Sequence, residues 1–311
     1  MKKNLWFTAL SLFLLVGCQP PQEPINVVGN SWLGYQPLYA QHVLHPEQQP
    51  SNVHLTMLVS DISVIRMLTN QAASVAMLSL DNAISLNSRT DLDFCIALAL
   101  SSSDGADSIL ARPDFVAQLK TDAPIRVGME DSALARYVVS RWLEEHNIDP
   151  SRVNRMIVLP PGQQMALNNN LVDVIATYAP FTQNLMEHGA EVIFSSREIP
   201  DEIIDTVVVR KTTWQQYQDR LLPLVTTSWD TALAQSQVPN SDIFKAMMKL
   251  SDLSAEELTM SMAQLKFYDT KQSREFLKTG YAEVSEQIAA HLQETGVFDA
   301  PKMLSPCEGV L

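Results

Sequence analysis

Ile125-Arg126-Val127-Gly128-Met129, then Glu130-Asp131-Ser132, then Ala133-Leu134-Ala135-Arg136-Tyr137-Val138-Val139-Ser140-Arg141-Trp142-Leu143-Glu144-Glu145 is the stretch that decides the fold. The first five residues read as a strand. In the last thirteen, Leu134, Tyr137, Val138, Arg141 and Trp142 recur at spacings of three and four, the period of one helix face. Outward from this unit, apolar strand-like runs precede it at Ile25–Val28, Val53–Val59, Val75–Leu78 and Phe94–Leu100. Others follow at Met156–Leu159, Val172–Ala176, Val192–Phe194 and Thr206–Val209, with helical periodicity in the gaps. Strands alternating with helices predict an α/β fold with largely parallel sheets.

From Lys211 onward no strand is expected. Trp214 to Ser236 reads as helix that Pro223 must break or kink. Ser254-Ala255-Glu256-Glu257 has capping-box spacing and opens another helix. Ser273 to Leu292 reads as a final amphipathic helix, stopped near Gly296. An internal echo runs through the strand region: Leu68, Asn70, Val75 and the turn at Ser79 return as Leu167, Asn169, Val174 and the turn at Tyr178, at a constant offset of 99. It implies two similar halves, each aiming a strand-end loop at a shared cleft, the usual ligand position in open α/β sheets.

The N-terminus carries a second signal. Lys2 and Lys3 precede the apolar run Leu5 to Val16, which ends in Leu15-Val16-Gly17-Cys18. That run is too short to span a bilayer, and basic region, apolar core and small residues together make a secretory signal. The ending resembles a bacterial lipoprotein lipobox, which implies a signal peptide at 1–17 and lipid on Cys18. Residues 18–25, rich in proline, read as an extended tether. Gln19 in place of Asp allows the outer membrane by the same resemblance and leaves the inner membrane open. The expected localisation is a periplasm-facing membrane lipoprotein.

Formal net charge is −13, and loss of Lys2 and Lys3 with the signal makes the body more acidic still. This argues against nucleic acid as a partner, and against attachment to anionic lipid by anything but the acyl anchor. Of three cysteines, Cys18 is assigned to lipid. Cys95 lies in an apolar run and Cys307 in the C-terminal tail. An oxidising compartment permits a bridge between them; a core Cys95 and a free Cys307 fit the sequence equally well.

Trp32-Leu33-Gly34-Tyr35-Gln36-Pro37-Leu38-Tyr39 resembles the opening motif of periplasmic substrate-binding proteins of the nitrate, sulfonate and taurine type, related to the thiamine-pyrimidine precursor proteins of the NMT1-like group. Ser103-Asp104-Gly105-Ala106-Asp107-Ser108-Ile109-Leu110 is similar to their hinge approach, and Glu198-Ile199-Pro200 with Asp205 to Val209 to their return. The likeness runs from about Asn26 to Arg210. It implies a two-lobed type-II periplasmic-binding fold with hinge strands and a helical C-terminal segment. Lobe I would hold 25–108 plus 208–311 and lobe II 109–207, with crossing strands near 108–111 and 206–210.

The expected ligand contacts are Trp32, Gly34, Tyr35, Asp61, Ser79, Asp81, Asp104, Glu130, Ser132 and Tyr178. Trp32 and Tyr35 offer apolar faces with polar handles, and Gly34 allows close backbone approach. Asp61, Ser79 and Asp81 sit at helix starts, where capping is the alternative role. Glu130, in a loop that is often rich in glycine and hydroxyls in the family, departs from the pattern. With Asp61, Asp81, Asp104 and Asp107 it makes the expected cleft acidic. Arg66 and Arg136 are the candidate counter-charges for an anion, and both fall inside helices. The charge balance therefore leans toward an amine or a heteroaromatic ring. His42 and His45 read as a solvated helix end, so no metal and no cofactor are expected. Without a nucleophile, base and orienter in view, no catalytic residue is expected.

The reading that follows is a monomeric, membrane-anchored binder of a small organic molecule (amine, pyrimidine-like or sulfonate-like) that serves an ABC permease. The alternative is a ligand-sensing lipoprotein that regulates a membrane sensor kinase or cyclic-nucleotide enzyme. A small-metabolite enzyme on the same scaffold ranks last.

Overall fold

The structure, a computed structural model, describes residues 23–48, 50 and 52–311. The signal segment, Cys18, Gln19 and most of the tether lie outside the described residues. The first elements are β1 (Ile25–Gly29), α1 (Gln36–Leu44), β2 (Val53–Met57), α2 (Asp61–Thr69), β3 (Val75–Ser79), α3 (Leu80–Arg89) and β4 (Phe94–Ser103). Next come β5 (Asp107–Ala111), α4 (Pro113–Val116), β6 (Ile125–Met129), α5 (Ala133–Glu145), β7 (Val153–Ile157), α6 (Pro160–Asn168), β8 (Val174–Tyr178), α7 (Phe181–Glu187) and β9 (Glu191–Ser195). The chain returns through β10 (Ile204–Arg210) and α8 (Lys211–Pro223), α9 (Trp229–Ser236), α10 (Asp242–Ser251) and α11 (Ala255–Met262). It ends with β11 (Leu265–Phe267), α12 (Thr270–Thr279), α13 (Tyr281–Glu294) and β12 (Ser305–Pro306).

These strands form two sheets, a seven-stranded one ordered β11-β4-β10-β3-β1-β2 with β12 beside β4, and a five-stranded one ordered β7-β6-β8-β5-β9. The two share a plan. In each, three parallel strands (β2-β1-β3 and β7-β6-β8) are followed by two antiparallel ones (β10-β4 and β5-β9). Ile25 pairs with Val53 in one sheet and Ile125 with Val153 in the other. The expected echo is thus a structural repeat, with β3 and β8 ending at Ser79 and Tyr178. β3, β4 and β8 are buried along their whole length, which is why they read as continuous apolar runs.

The chain leaves the first sheet after Ser103 and returns to it at Ile204, so the crossings are 104–106 and 196–203. The strands expected to cross, at 108–111 and 206–210, each lie inside one sheet. The two crossings are tied together: Ser103 and Ser196 hydroxyls share a hydrogen bond at 2.8 Å, and the Gly105 amide donates to Ser196 Oγ at 2.7 Å. Gly105 has a φ of +112°, a conformation that favours glycine.

The C-terminal region corrects two expectations and bears out others. It does contain strands, β11 and β12, both on β4. As expected, regular helix is interrupted at Pro223, where α8 gives way to a π-helical turn, Leu224–Ser228, that leads into α9; a further kink lies inside α8 at Tyr217. The helix expected over 273–292 is two, α12 and α13, divided at Gly280. The capping box of Ser254 and Glu257 is formed as expected. Cys95 and Cys307 are bonded, with Cα atoms 4.9 Å apart.

Candidate functional site

Loops after β1, β3, β6 and β8 converge between the two sheets, at the carboxyl ends of the parallel strands. From the seven-stranded side come Asn30 and Trp32 after β1, Asp61 at the start of α2, and Ser79, Asp81 and Asn82 where β3 enters α3. From the five-stranded side come Asp107 on β5, Glu130 and Ser132 after β6, and Tyr178 at the end of β8. All of these side chains are buried.

Asp205, the second residue of the apolar strand β10, organises the first side. It accepts from Trp32 Nε1 at 2.8 Å, the Ser101 hydroxyl at 2.6 Å and the Tyr35 hydroxyl at 3.1 Å. A side chain on Gly34 would run into Trp32 Nε1, so glycine there lets the indole reach Asp205. Burial pushes the Asp205 carboxyl up to about 6 against the pull of its three donors.

Asp61 is held between two amides, Asn30 Nδ2 at 2.8 Å and Asn82 Nδ2 at 2.9 Å. Asp81 Oδ1 accepts from Ser79 Oγ at 2.7 Å and from the Asn82 amide at 2.5 Å, while its Oδ2 has no partner. Asn82 Oδ1 then bridges to the other side, accepting from the Ala133 and Leu134 amides at 2.9 and 3.3 Å. Asn30 Nδ2 also donates to Tyr178 Oη at 3.2 Å, and the Ile62 amide donates to Glu130 Oε1 at 3.2 Å. Ser132 caps α5 by accepting from the Ala135 amide at 3.1 Å. The two sides are therefore closed on one another. The cavity left among Asp61, Asp107, Glu130, Ser132 and Tyr178 is small, about 20 Å³, room for little more than a water molecule.

Five carboxyl groups thus share one buried region, and none of them forms an ion pair with a basic residue among the described residues. Burial raises Asp61, and the charges of Glu130, Asp81 and Asp107 add to it. Burial also raises Asp107 and Glu130, and it pushes Asp81 up to about 7. No group of histidine, cysteine or carboxylate residues has the geometry of a metal site among the described residues.

The sign of the pH effect follows. Raised carboxyls bind protons in the closed form that they would release in water, so closure is favoured below their ordinary value of about 4 and loses that advantage as pH rises through about 6 and 7. Each unit of displacement is worth about 1.4 kcal/mol. Unliganded protein is expected to have a larger radius of gyration at pH 8 than at pH 5, with a lower urea midpoint, as read by small-angle scattering and denaturation. Equal radii would show that the closed form tolerates the charges.

Of the residues expected in the site, Asp61, Glu130, Ser132 and Tyr178 border the cavity. Trp32, Tyr35, Ser79 and Asp81 stand behind it as hydrogen-bonded support, and Gly34 is packed under Trp32. Asp104 is elsewhere: it is exposed at the crossing and paired with Arg197 at 3.5 Å. Asp107, three residues further on, is buried as the first residue of β5, a strand buried along its whole length. Arg66 is exposed, and Arg136 binds Asp131 at 2.5 Å, so neither meets the cluster. Asn30, Asn82 and Asp205 were not anticipated as site residues. For Asp205 the signal was present: a carboxylate inside Ile204-Asp205-Thr206-Val207-Val208-Val209 must find donors or be a costly burial.

Two sheets with matching topology, joined by two crossings and closed over a polar cleft, define the two-lobed binding-protein fold. Solved structures share it. The ligand-binding component of an ABC-type import system from Staphylococcus aureus, with zinc bound, superposes with a TM-score of 0.74 at 13% identity, over 92% of this chain and 97% of that one. The alkanesulfonate-binding protein SsuA from Xanthomonas axonopodis pv. citri, bound to MOPS, gives 0.72 at 12% identity over 89% and 95%. The periplasmic nitrate-binding protein NrtA from Synechocystis PCC 6803 gives 0.68 at 9% over 90% and 83%. Among curated protein sequences none matches. The profile of the NMT1-like family matches residues 82–242, just over half the chain, and the protein belongs to that family.

Proposed function

We propose that this protein is a membrane-anchored, monomeric solute-binding protein that closes two lobes over a small organic molecule and presents it to an ABC importer, without altering it chemically. The observation that carries this is the polar cleft, built from both sheets and sealed across it where Asn82 accepts from the Ala133 amide, Glu130 accepts from the Ile62 amide and Asn30 donates to Tyr178. In this reading residues 25–103 and 204–311 form one lobe and 107–195 the other. The pivot is the pair of crossings rather than the strands that follow them. Ligand favours the closed form because only there does it touch both sides. Kinship with the NMT1-like family and a fold shared with import-system binding proteins support the assignment.

Titration with a small-metabolite library tests it. A compound that raises the melting temperature should also contract the scattering profile. Stabilising compounds that leave the profile unchanged would place binding outside the cleft and overturn interlobe capture.

Among the described residues no helix is long and apolar enough to cross a membrane, and we assign attachment to lipid on Cys18. Cys18→Ser is expected to move the protein from the membrane to the soluble fraction; unchanged fractionation would refute the anchor. Gln19 at the following position favours a second reading, a sensory lipoprotein on the outer membrane that hands a ligand signal to a membrane partner. Loss of uptake of the bound compound in a deletion strain supports import, and intact uptake supports sensing.

A further inference from the structure

The cleft has an excess of acceptors. Asp107 Oδ2, Glu130 Oε2 and Thr177 Oγ1 border the cavity, belong to residues at most 5% exposed, and have no hydrogen-bond partner. The backbone donors that an anion would use are already engaged, and of the unpartnered groups on the cavity only the Thr177 hydroxyl can donate as well as accept. Helix N-termini offer free amides to anions, but here the Ile62 amide is held by Glu130, the Ala133 and Leu134 amides by Asn82, and the Ala135 amide by Ser132. The titratable groups bordering this space are Asp61, Asp107, Glu130 and Tyr178, with Asp81, Asp205 and Tyr35 buried behind them, and none of them carries positive charge. An anion would add its charge to that set in a medium where like charges repel strongly. An ammonium group brings up to three donors and no acceptor, and the Tyr178 ring beside it suits a cation.

We infer that the cleft takes a small organic cation, whose ammonium group sits among Asp61, Asp107 and Glu130. This rests on the solute-binding reading and names its ligand class. Bound cation does for the carboxylates what protons do in the empty closed form, so the two compete. Affinity for a cation falls with acid, and affinity for an anion would rise.

The test is a thermal-shift and calorimetric series with ethanolamine, 1,4-diaminobutane and phenethylamine against ethanesulfonate and nitrate, at pH 8 and pH 5. At least one amine is expected to bind one to one at pH 8 and to weaken by about tenfold or more at pH 5. Glu130→Gln or Asp107→Asn should each weaken it about tenfold, the scale of one charge-assisted hydrogen bond. Asp104→Asn, at the exposed crossing, should leave it unchanged. Using both cleft variants keeps the test decisive should one fail to fold. Silence from every amine overturns the inference whatever the anions do. If ethanesulfonate or nitrate then binds and contracts the protein, solute capture stands with the opposite charge preference. If no probe binds and scattering never changes, the solute-binding reading falls as well.

Discussion

Asp205→Ala is expected to leave little folded protein at 37 °C. The substitution strands three buried donors at once: the Trp32 indole, the Tyr35 hydroxyl and the Ser101 hydroxyl. Each unsatisfied buried group costs about 1–3 kcal/mol. The sum rivals the whole stability of a typical domain, about 5–15 kcal/mol. It also leaves a void near the start of β10, which pairs with both β3 and β4. Asp205→Asn separates charge from hydrogen bonding. Its carbonyl oxygen still accepts, but its amide faces donors, so an intermediate loss is expected. Urea denaturation of both variants checks the order. If Asp205→Ala folds with an unchanged midpoint, the carboxylate is not the anchor of the Trp32 loop.

Removing the Cys95–Cys307 bond is the second large effect. The bond spans 212 residues, and closing so long a loop in the unfolded chain places it at the upper end of the usual 2–5 kcal/mol, about 4–5 kcal/mol. Both sulfurs are buried, so reductant should act slowly on folded protein and quickly in denaturant. The Cys95→Ala, Cys307→Ala double variant is expected to show a lower urea midpoint at unchanged slope. Hydrogen exchange should also quicken at the Cys307 amide, which bonds to Ile96 O at 2.8 Å beside β12. An unchanged midpoint would mean that β12 and the Trp214–Glu308 contact suffice to hold the tail.

How far the sequence reveals this depends on where each residue's free energy comes from. β6 and α5 begin and end at the expected residues, because one buried strand and one amphipathic stripe meet across a capped loop. β7 begins earlier than its apolar residues suggest. It is an edge strand, mostly exposed, and its backbone pairing with β6 rather than side-chain burial sets its limits. β11 and β12 are three and two residues long, too short for periodicity to register. The break at Gly280 hides in an otherwise continuous helical stripe, since a single glycine is tolerated in many helices. For the cleft, the acidic character was legible from residue types alone. The division of labour was not: Trp32 and Tyr35 have the composition of ligand contacts, yet their polar ends are spent on Asp205, a residue 170 and more positions away. Sequence spacing carries no information about that meeting.

One consequence follows from where the chain ends are fastened. Glu23 is held by Arg220 through its carbonyl, at 3.1 Å, and the last residues lie against β4 and Trp214, so both ends are moored to the seven-stranded half. Whatever grips the polypeptide ahead of residue 23 therefore grips that half. The backbone reaches the five-stranded half only through 104–106 and 196–203, and hydrogen bonds across the cleft supply its other attachment. If the chain is anchored by lipid as proposed, a pull on that anchor would load the seven-stranded half and leave the gap between the halves unchanged, and a partner that senses occupancy would have to touch the five-stranded half.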